Sequence, residues 1–421
     1  MYPQSRSIQL VDQERSIYSL QQLLIRLAFI NLFIVALIGL TLRSYPFFHI
    51  PFSYKNLLHG HSHFAFGGWI MPLLIWLITR YFPELCAGVP FKHWRNIVFM
   101  IFFSAYGMLA SFPFQGYGPV SISFSTISVL AGFYLAWVIW RSSKQERQIT
   151  SVRFLNAGLF YLVLSSIGPF ATGPLAALGY AGTPLYFNAI YFFLHFQYNG
   201  WFSFVILAVL VKILEEKQLA KNANSSFILL HLACIPTFFL SILWNHPGHL
   251  FNLIGGLAAL IQIAAFIFLI PNLRSLNTGK NLINLLIRLA LFGFIIKLVL
   301  QLASAFPLVA DIAFLNRNFI IAYLHLVLVA FVSLSGIAFV LKLEPSLLST
   351  QMKAGISIFI FSSITSEVLL ITEPIGRYLN FSIPFLPNLL FYFSCFFPVS
   401  ALWMALLVNR NYTLLNRIQL A

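Results

Sequence analysis

The sequence predicts an all-α integral membrane protein of twelve transmembrane helices, and three observations carry that prediction. Hydrophobic residues make up 60% of the 421-residue chain and charged residues 8%. Water-soluble globular chains hold about 25% charged residues, so this supply cannot build a water-facing surface and a soluble enzyme is excluded. Apolar runs near the ~20 residues that a spanning helix needs recur twelve times along the chain. Basic residues then sort to alternate connecting segments. A transmembrane β-barrel would instead show roughly ten-residue alternating segments, and the 46 phenylalanines lie in long continuous runs.

Taken in order, residues 1–19 are polar and mixed in charge, without the apolar core and small-residue cleavage site of a secretory signal. They read as a cytoplasmic segment. The membrane domain occupies 20–409, with spans at about 20–43, 57–80, 96–112, 119–140, 154–172, 185–211, 226–244, 250–271, 282–304, 318–341, 354–372 and 386–408. Residues 410–421 form a cytoplasmic tail. With both ends inside, the inner segments hold 20 of the 25 Lys and Arg, from Arg6, Arg15 and Arg26 through Arg141, Lys144 and Arg147 to Arg410 and Arg417. The outer loops hold four, Arg43, Lys55, Arg317 and Arg377, while Lys297 sits within helix 9. This is a strong positive-inside bias. It places the chain in the cytoplasmic (inner) membrane and accounts for the net charge of +15. No basic cluster is dense enough to track phosphates, so nucleic acid is excluded as a partner. Cys86, Cys234 and Cys395 are isolated and give no CxxC, no CxxCH haem attachment and no disulfide framework.

A repeat runs through the chain at every fourth helix. Helix 2 contains His63-Phe64-Ala65-Phe66-Gly67-Gly68-Trp69, and helix 6 contains His195-Phe196-Gln197-Tyr198-Asn199-Gly200-Trp201. Helix 10 carries a degenerate copy from His325 to Phe331. The histidines are 132 and 130 residues apart (195 − 63 and 325 − 195). The spacing predicts three four-helix units around a pseudo-threefold axis. All three helices run inward, and the histidines fall roughly 9–15 Å below the outer surface at 1.5 Å per residue.

Buried imidazoles in hydrocarbon require partners, and histidine is the commonest metal ligand at neutral pH. Haem iron takes axial imidazoles, and copper suits three of them. His59 and His63 share a face of helix 2, whereas His61 looks the other way. His63 is therefore the first candidate ligand and His59 the reserve, with His61 meeting a neighbouring helix, a haem propionate or water. His195, His246 and His249 are candidates for a copper site. Gly67, Gly68 and Gly200 admit either a flat macrocycle or close helix packing.

Twelve helices with histidines on helices 2, 6, 7 and 10 resemble subunit I of the haem-copper oxidase superfamily, which includes the terminal oxidases and the large subunit of nitric-oxide reductases. The stretch HGHSHFAFGG resembles the AFGG-containing stretch of the high-affinity oxidase branch. The resemblance implies that His63 and His325 ligate a low-spin haem, b-type. It places His195 on the family's helix 6 copper ligand, and His246 and His249 near the paired histidines of helix 7. Three departures stand against a complete catalytic centre. Tyr323 occupies the position of the histidine that holds the high-spin haem. Pro247 and Gly248 separate His246 from His249. Tyr198 follows His195 at +3 rather than at the +4 of the family's pattern. The low-spin site is better preserved than the catalytic centre.

Lys297 and Glu367 are interior charges that suit a proton route, a quinone site, an ion pair or snorkelling. Arg377, at the outer end of helix 11, faces a propionate or solvent. Three function classes follow. The first is a redox protein of the oxidase type, an oxidoreductase if active, passing electrons with dioxygen or nitric-oxide chemistry. The second is a non-catalytic haem- or copper-binding protein that senses or handles nitric oxide or metal. The third is a twelve-helix transporter without metal. Expected partners are membrane lipid, a quinone or cytochrome donor, and small accessory subunits. The chain contains no soluble cytochrome or copper domain of its own.

Overall fold

The computed structural model describes residues 3–276, 281–381 and 383–420, with side chains described from residue 13 to 273, 281 to 381 and 383 to 413. The charge-bias residues Arg6, Arg274, Lys280 and Arg417 lie outside the described side chains. The structure is all-helical, with no strand among the described residues. Twelve helices are long and apolar enough to cross a membrane. They are α1 (Gln13–Ser44), α2 (Tyr54–Tyr81), α3 (Phe91–Gln115), α4 (Pro119–Ser142), α5 (Thr150–Ala177), α6 (Pro184–Glu216), α7 (Ala223–Asn245), α8 (His249–Leu273), α9 (Leu282–Ala303), α10 (Arg317–Leu343), α11 (Thr350–Tyr378) and α12 (Leu386–Thr413).

The helices run a few residues past the apolar spans at most ends. Hydropathy marks the hydrocarbon-crossing part, whereas helix ends follow the backbone breakers. From the first described residue, Pro3, the chain is already helical, and no glycine or proline interrupts the following polar turns. The expected N-terminal segment 1–19 is thus continuous with α1. The tail is likewise helical through Leu420.

Packing divides the chain into two compact units rather than along the four-helix period: residues 1–138 with 339–421, and residues 139–338. In the first, α1 packs on α12, α2 on α3, and α11 on α12. Arg80 pairs with Glu344 at 2.9 Å, and Tyr81 Oη donates to the Phe339 carbonyl at 3.0 Å. Arg26 donates to Asn409 at 2.8 Å. In the second unit, α5 packs on α6, α7 on α8, and α9 on α10. The most enclosed helix is α6, with 94% of its most apolar stretch buried within the protein. It is therefore surrounded by other helices rather than lipid.

Glycines make the close approaches. A Cβ at Gly200 would lie 2.4 Å from Tyr161 Cβ of α5, and one at Gly68 would lie 2.8 Å from the Phe64 ring. A Cβ at Gly67 would meet Ala105 and Met108 of α3 at 3.5 Å. All three glycines serve packing against protein atoms, which is the second of the two roles expected of them.

Candidate functional site

The three repeated histidines sit at one kind of backbone feature. His195 and His325 are the last α-helical residues before π-helical segments at Phe196–Phe202 and Leu326–Ser333. In α2, His63 is one residue before the α-helical stretch gives way to the π segment Ala65–Ile70. A π turn shifts the hydrogen-bond ladder from i→i+4 to i→i+5, and such turns occur frequently at functional sites.

Each π segment exposes carbonyls that need donors, and the sequence supplies them. Ser203 Oγ donates to the Tyr198 carbonyl at 2.6 Å and Ser333 Oγ to the Leu328 carbonyl at 2.7 Å. In both helices the serine lies eight residues after the repeated histidine and its acceptor three residues after it. In α2 the donor comes from α1: the fully buried Asn31 donates to the Gly68 carbonyl at 2.7 Å. Asn31 Oδ1 in turn accepts from Tyr106 at 2.7 Å.

These features extend a repeat first visible in only seven residues. Arg80, Lys212 and Lys342 all lie 17 residues after their histidines. The signal is present in the sequence once the three helices are aligned on the histidine, but it falls at the far end of each span. The π segments themselves leave no compositional mark, since the three stretches differ in glycine and polar content.

In the first unit the structure brings His59 and His63 together. The His63 ring stacks on Phe112 with centroids 4.5 Å apart and planes 13° apart. Its Nε2 lies 3.0 Å from Tyr117 Oη, and the same tyrosine ring meets His59 at 4.7 Å. His63 is half-buried. It lies between the buried Phe112 and the exposed Tyr117. His61 turns to the other side and packs on α1, where a Cβ at Gly39 would lie 3.2 Å from its ring. Also in this unit, Glu367 lies within electrostatic reach of the Arg43 guanidinium. Arg377 pairs with Glu373 one turn earlier on α11.

In the second unit His195 is fully buried and its ring is already engaged. Nε2 lies 2.9 Å from the Cys234 carbonyl, which can only accept, so Nε2 carries the proton. Nδ1 is then the acceptor, 3.0 Å from Asn199 Nδ2 and 3.4 Å from Ser241 Oγ. His246 follows the last turn of α7 in the left-handed region, at φ 50°. It is exposed and lies 3.7 Å from Asp311. His249 is exposed at the start of α8. The expected three-imidazole copper site is therefore not assembled: one member is buried with both ring nitrogens occupied, and two are at the surface. No group of three or more His, Cys, Asp or Glu that could hold a metal ion occurs among the described residues.

His325 is half-buried on α10. Tyr323, two residues before it, is also half-buried, with its ring 5.9 Å from that of Tyr198. Compared with known proteins, the sequence matches no family model and no curated protein.

Proposed function

We propose that the chain is a haem-bearing redox protein of the cytoplasmic membrane, with both termini cytoplasmic, in which the repeated histidines His63 and His325 are each candidate axial ligands. The observation that carries this reading is the position of the repeated histidines. Each marks an α-to-π transition within a membrane span, and His63 is half-buried beside Phe112. Its Nε2 meets only a rotatable tyrosine hydroxyl. That hydroxyl can turn away and release a nitrogen lone pair, so the residues fit an axial ligand. Aromatic walls at Phe112 suit an apolar macrocycle, and His59 stands one turn away on the same face.

Haem held by neutral imidazole would supply one-electron transfer. The chain's own contribution is to fix the ligand rings and exclude water. Phe112 sets the plane of the His63 ring by stacking, and Asn31 anchors the π segment below it. His195 acts differently. Its Nε2 holds α6 to the backbone of α7 and its Nδ1 accepts from Asn199 and Ser241 side chains, so we assign it to structure and carry no copper site forward. This favours electron transfer over dioxygen or nitric-oxide reduction, with a quinone or another protein as donor. Three-four-helix pseudosymmetry is part of the same proposal and follows from the aligned repeats.

A visible spectrum of the purified protein in detergent tests the reading. A Soret band with low-spin reduced features is expected. Its absence from protein expressed with haem supplied removes the redox reading and leaves a twelve-helix transporter.

A further inference from the structure

Lys297 of α9 has no part in that proposal, and its surroundings are unusual for a membrane interior. It is 2% exposed, and its Nζ lies over the Phe294 ring, 5.5 Å from the centroid. Among the described residues its ammonium has no hydrogen-bond or ion-pair partner. The second unit has four carboxylates, Glu146, Glu215, Glu216 and Asp311, and none lies in the interior of a span. Glu215 is held by Ser151, and Asp311 lies near the exposed His246. A buried ammonium without a counter-charge is strongly disfavoured unless its site supplies polar partners or water.

The neighbourhood is polar but incompletely paired. Lys297 is within electrostatic reach of His195 and Cys234. Gln301 follows one turn later on the same face of α9. Gln262 of α8 donates to Thr237 at 3.2 Å, and Thr237 donates to the same Cys234 carbonyl that binds His195. Three buried acceptor oxygens, Asn199 Oδ1, Gln262 Oε1 and Gln301 Oε1, have no donor. Buried polar atoms left in this state are costly, and ordered water is the usual partner. An amine that needs acceptors and amide oxygens that need donors call for the same solvent.

We propose that these groups form a hydrated proton-uptake site, in which Lys297 exchanges its proton with water admitted past Gln301. Ser241 bonds both Tyr198 and His195 Nδ1, and Tyr198 faces Tyr323. Lys297 gives its proton to a water molecule and takes one back from water, so one N–H bond breaks for each O–H bond formed. The titratable groups within electrostatic reach of Lys297 are His195 of α6 and Cys234 of α7. The neighbouring α8 contributes the neutral Gln262. The proposal rests on these buried groups alone and stands whether or not the protein bears haem.

Two measurements test it on the full chain in proteoliposomes. In a background with Cys86, Cys234 and Cys395 replaced by alanine, single cysteines are placed by Lys297→Cys, Gln301→Cys and Val299→Cys. Val299 is exposed on the outer face of the bundle and reports the lipid side. A small charged methanethiosulfonate reagent reacts only in water. Modification at 297 and 301 is expected to be at least tenfold faster than at 299. Infrared difference spectra between wild type and Lys297→Met, in water and in D₂O, read the amine directly. The Lys297 band is expected to shift within minutes of solvent exchange. Equal rates at 297 and 299, or a lysine band unchanged after hours in D₂O, would overturn the proposal. Lys297→Met matches lysine in length and removes only the amine, and a monodisperse size-exclusion profile confirms that it folds.

Discussion

Ser203 Oγ donates to the carbonyl of Tyr198, five residues earlier, at 2.6 Å. Ser333 makes the same bond to Leu328 in α10. The bond pairs a carbonyl that the π turn has taken out of the regular ladder. Ser203→Ala and Ser333→Ala should each destabilise the protein by about 1 kcal/mol, the usual net loss of a buried hydrogen bond. Thermal unfolding in detergent, followed by size-exclusion fluorescence, would show it.

Asn31 carries two such bonds, to the Gly68 carbonyl and from Tyr106. Asn31→Leu keeps the volume and removes both, so a loss of about 2–4 kcal/mol is expected. Tyr106→Phe removes one and should cost about 1 kcal/mol. The ordering of the two melting temperatures checks the assignment.

Gly200 and Gly67 separate by the space around them. Gly200→Ala drives a methyl to 2.4 Å from Tyr161 Cβ and must displace α5 or α6. A cost of about 1–3 kcal/mol is expected for such overpacking. Gly67→Ala meets its neighbours at an ordinary 3.5 Å and should melt close to wild type.

The twelve spans were legible because hydrophobic length is a direct consequence of bilayer thickness. The site was legible only in part. His63, His195 and His325 announce themselves as polar rings in apolar runs, and their spacing exposes the repeat. What distinguishes them is set by neighbours far away in sequence: Tyr117 and Phe112 for His63, Cys234 and Ser241 for His195. The copper reading failed to assemble for this reason. Spacing placed His195 near the end of α7, but its nitrogens are taken by α7 backbone and by Asn199, four residues on. The π segments were missed because they arise from ladder geometry and not from composition.

His195 therefore gives a prediction of its own. His195→Ala should leave the metal content of the purified protein unchanged while lowering its melting temperature, since it removes bonds to Cys234 and Asn199. Elemental analysis beside thermal unfolding measures both.

The charge bias predicts that reporters fused after Ala421 and within the loop at Lys144 both read as cytoplasmic. A periplasmic reading at either would break the proposed orientation, though not the twelve-helix fold.

The most direct test of the haem assignment is the reduced-minus-oxidised spectrum of wild type beside His325→Ala and His63→Ala. Wild type should show a low-spin haem signature. His325→Ala should abolish it, and His63→Ala should retain a part through His59, which shares its face of α2. An unchanged signature in the His325→Ala protein would contradict the ligand assignment.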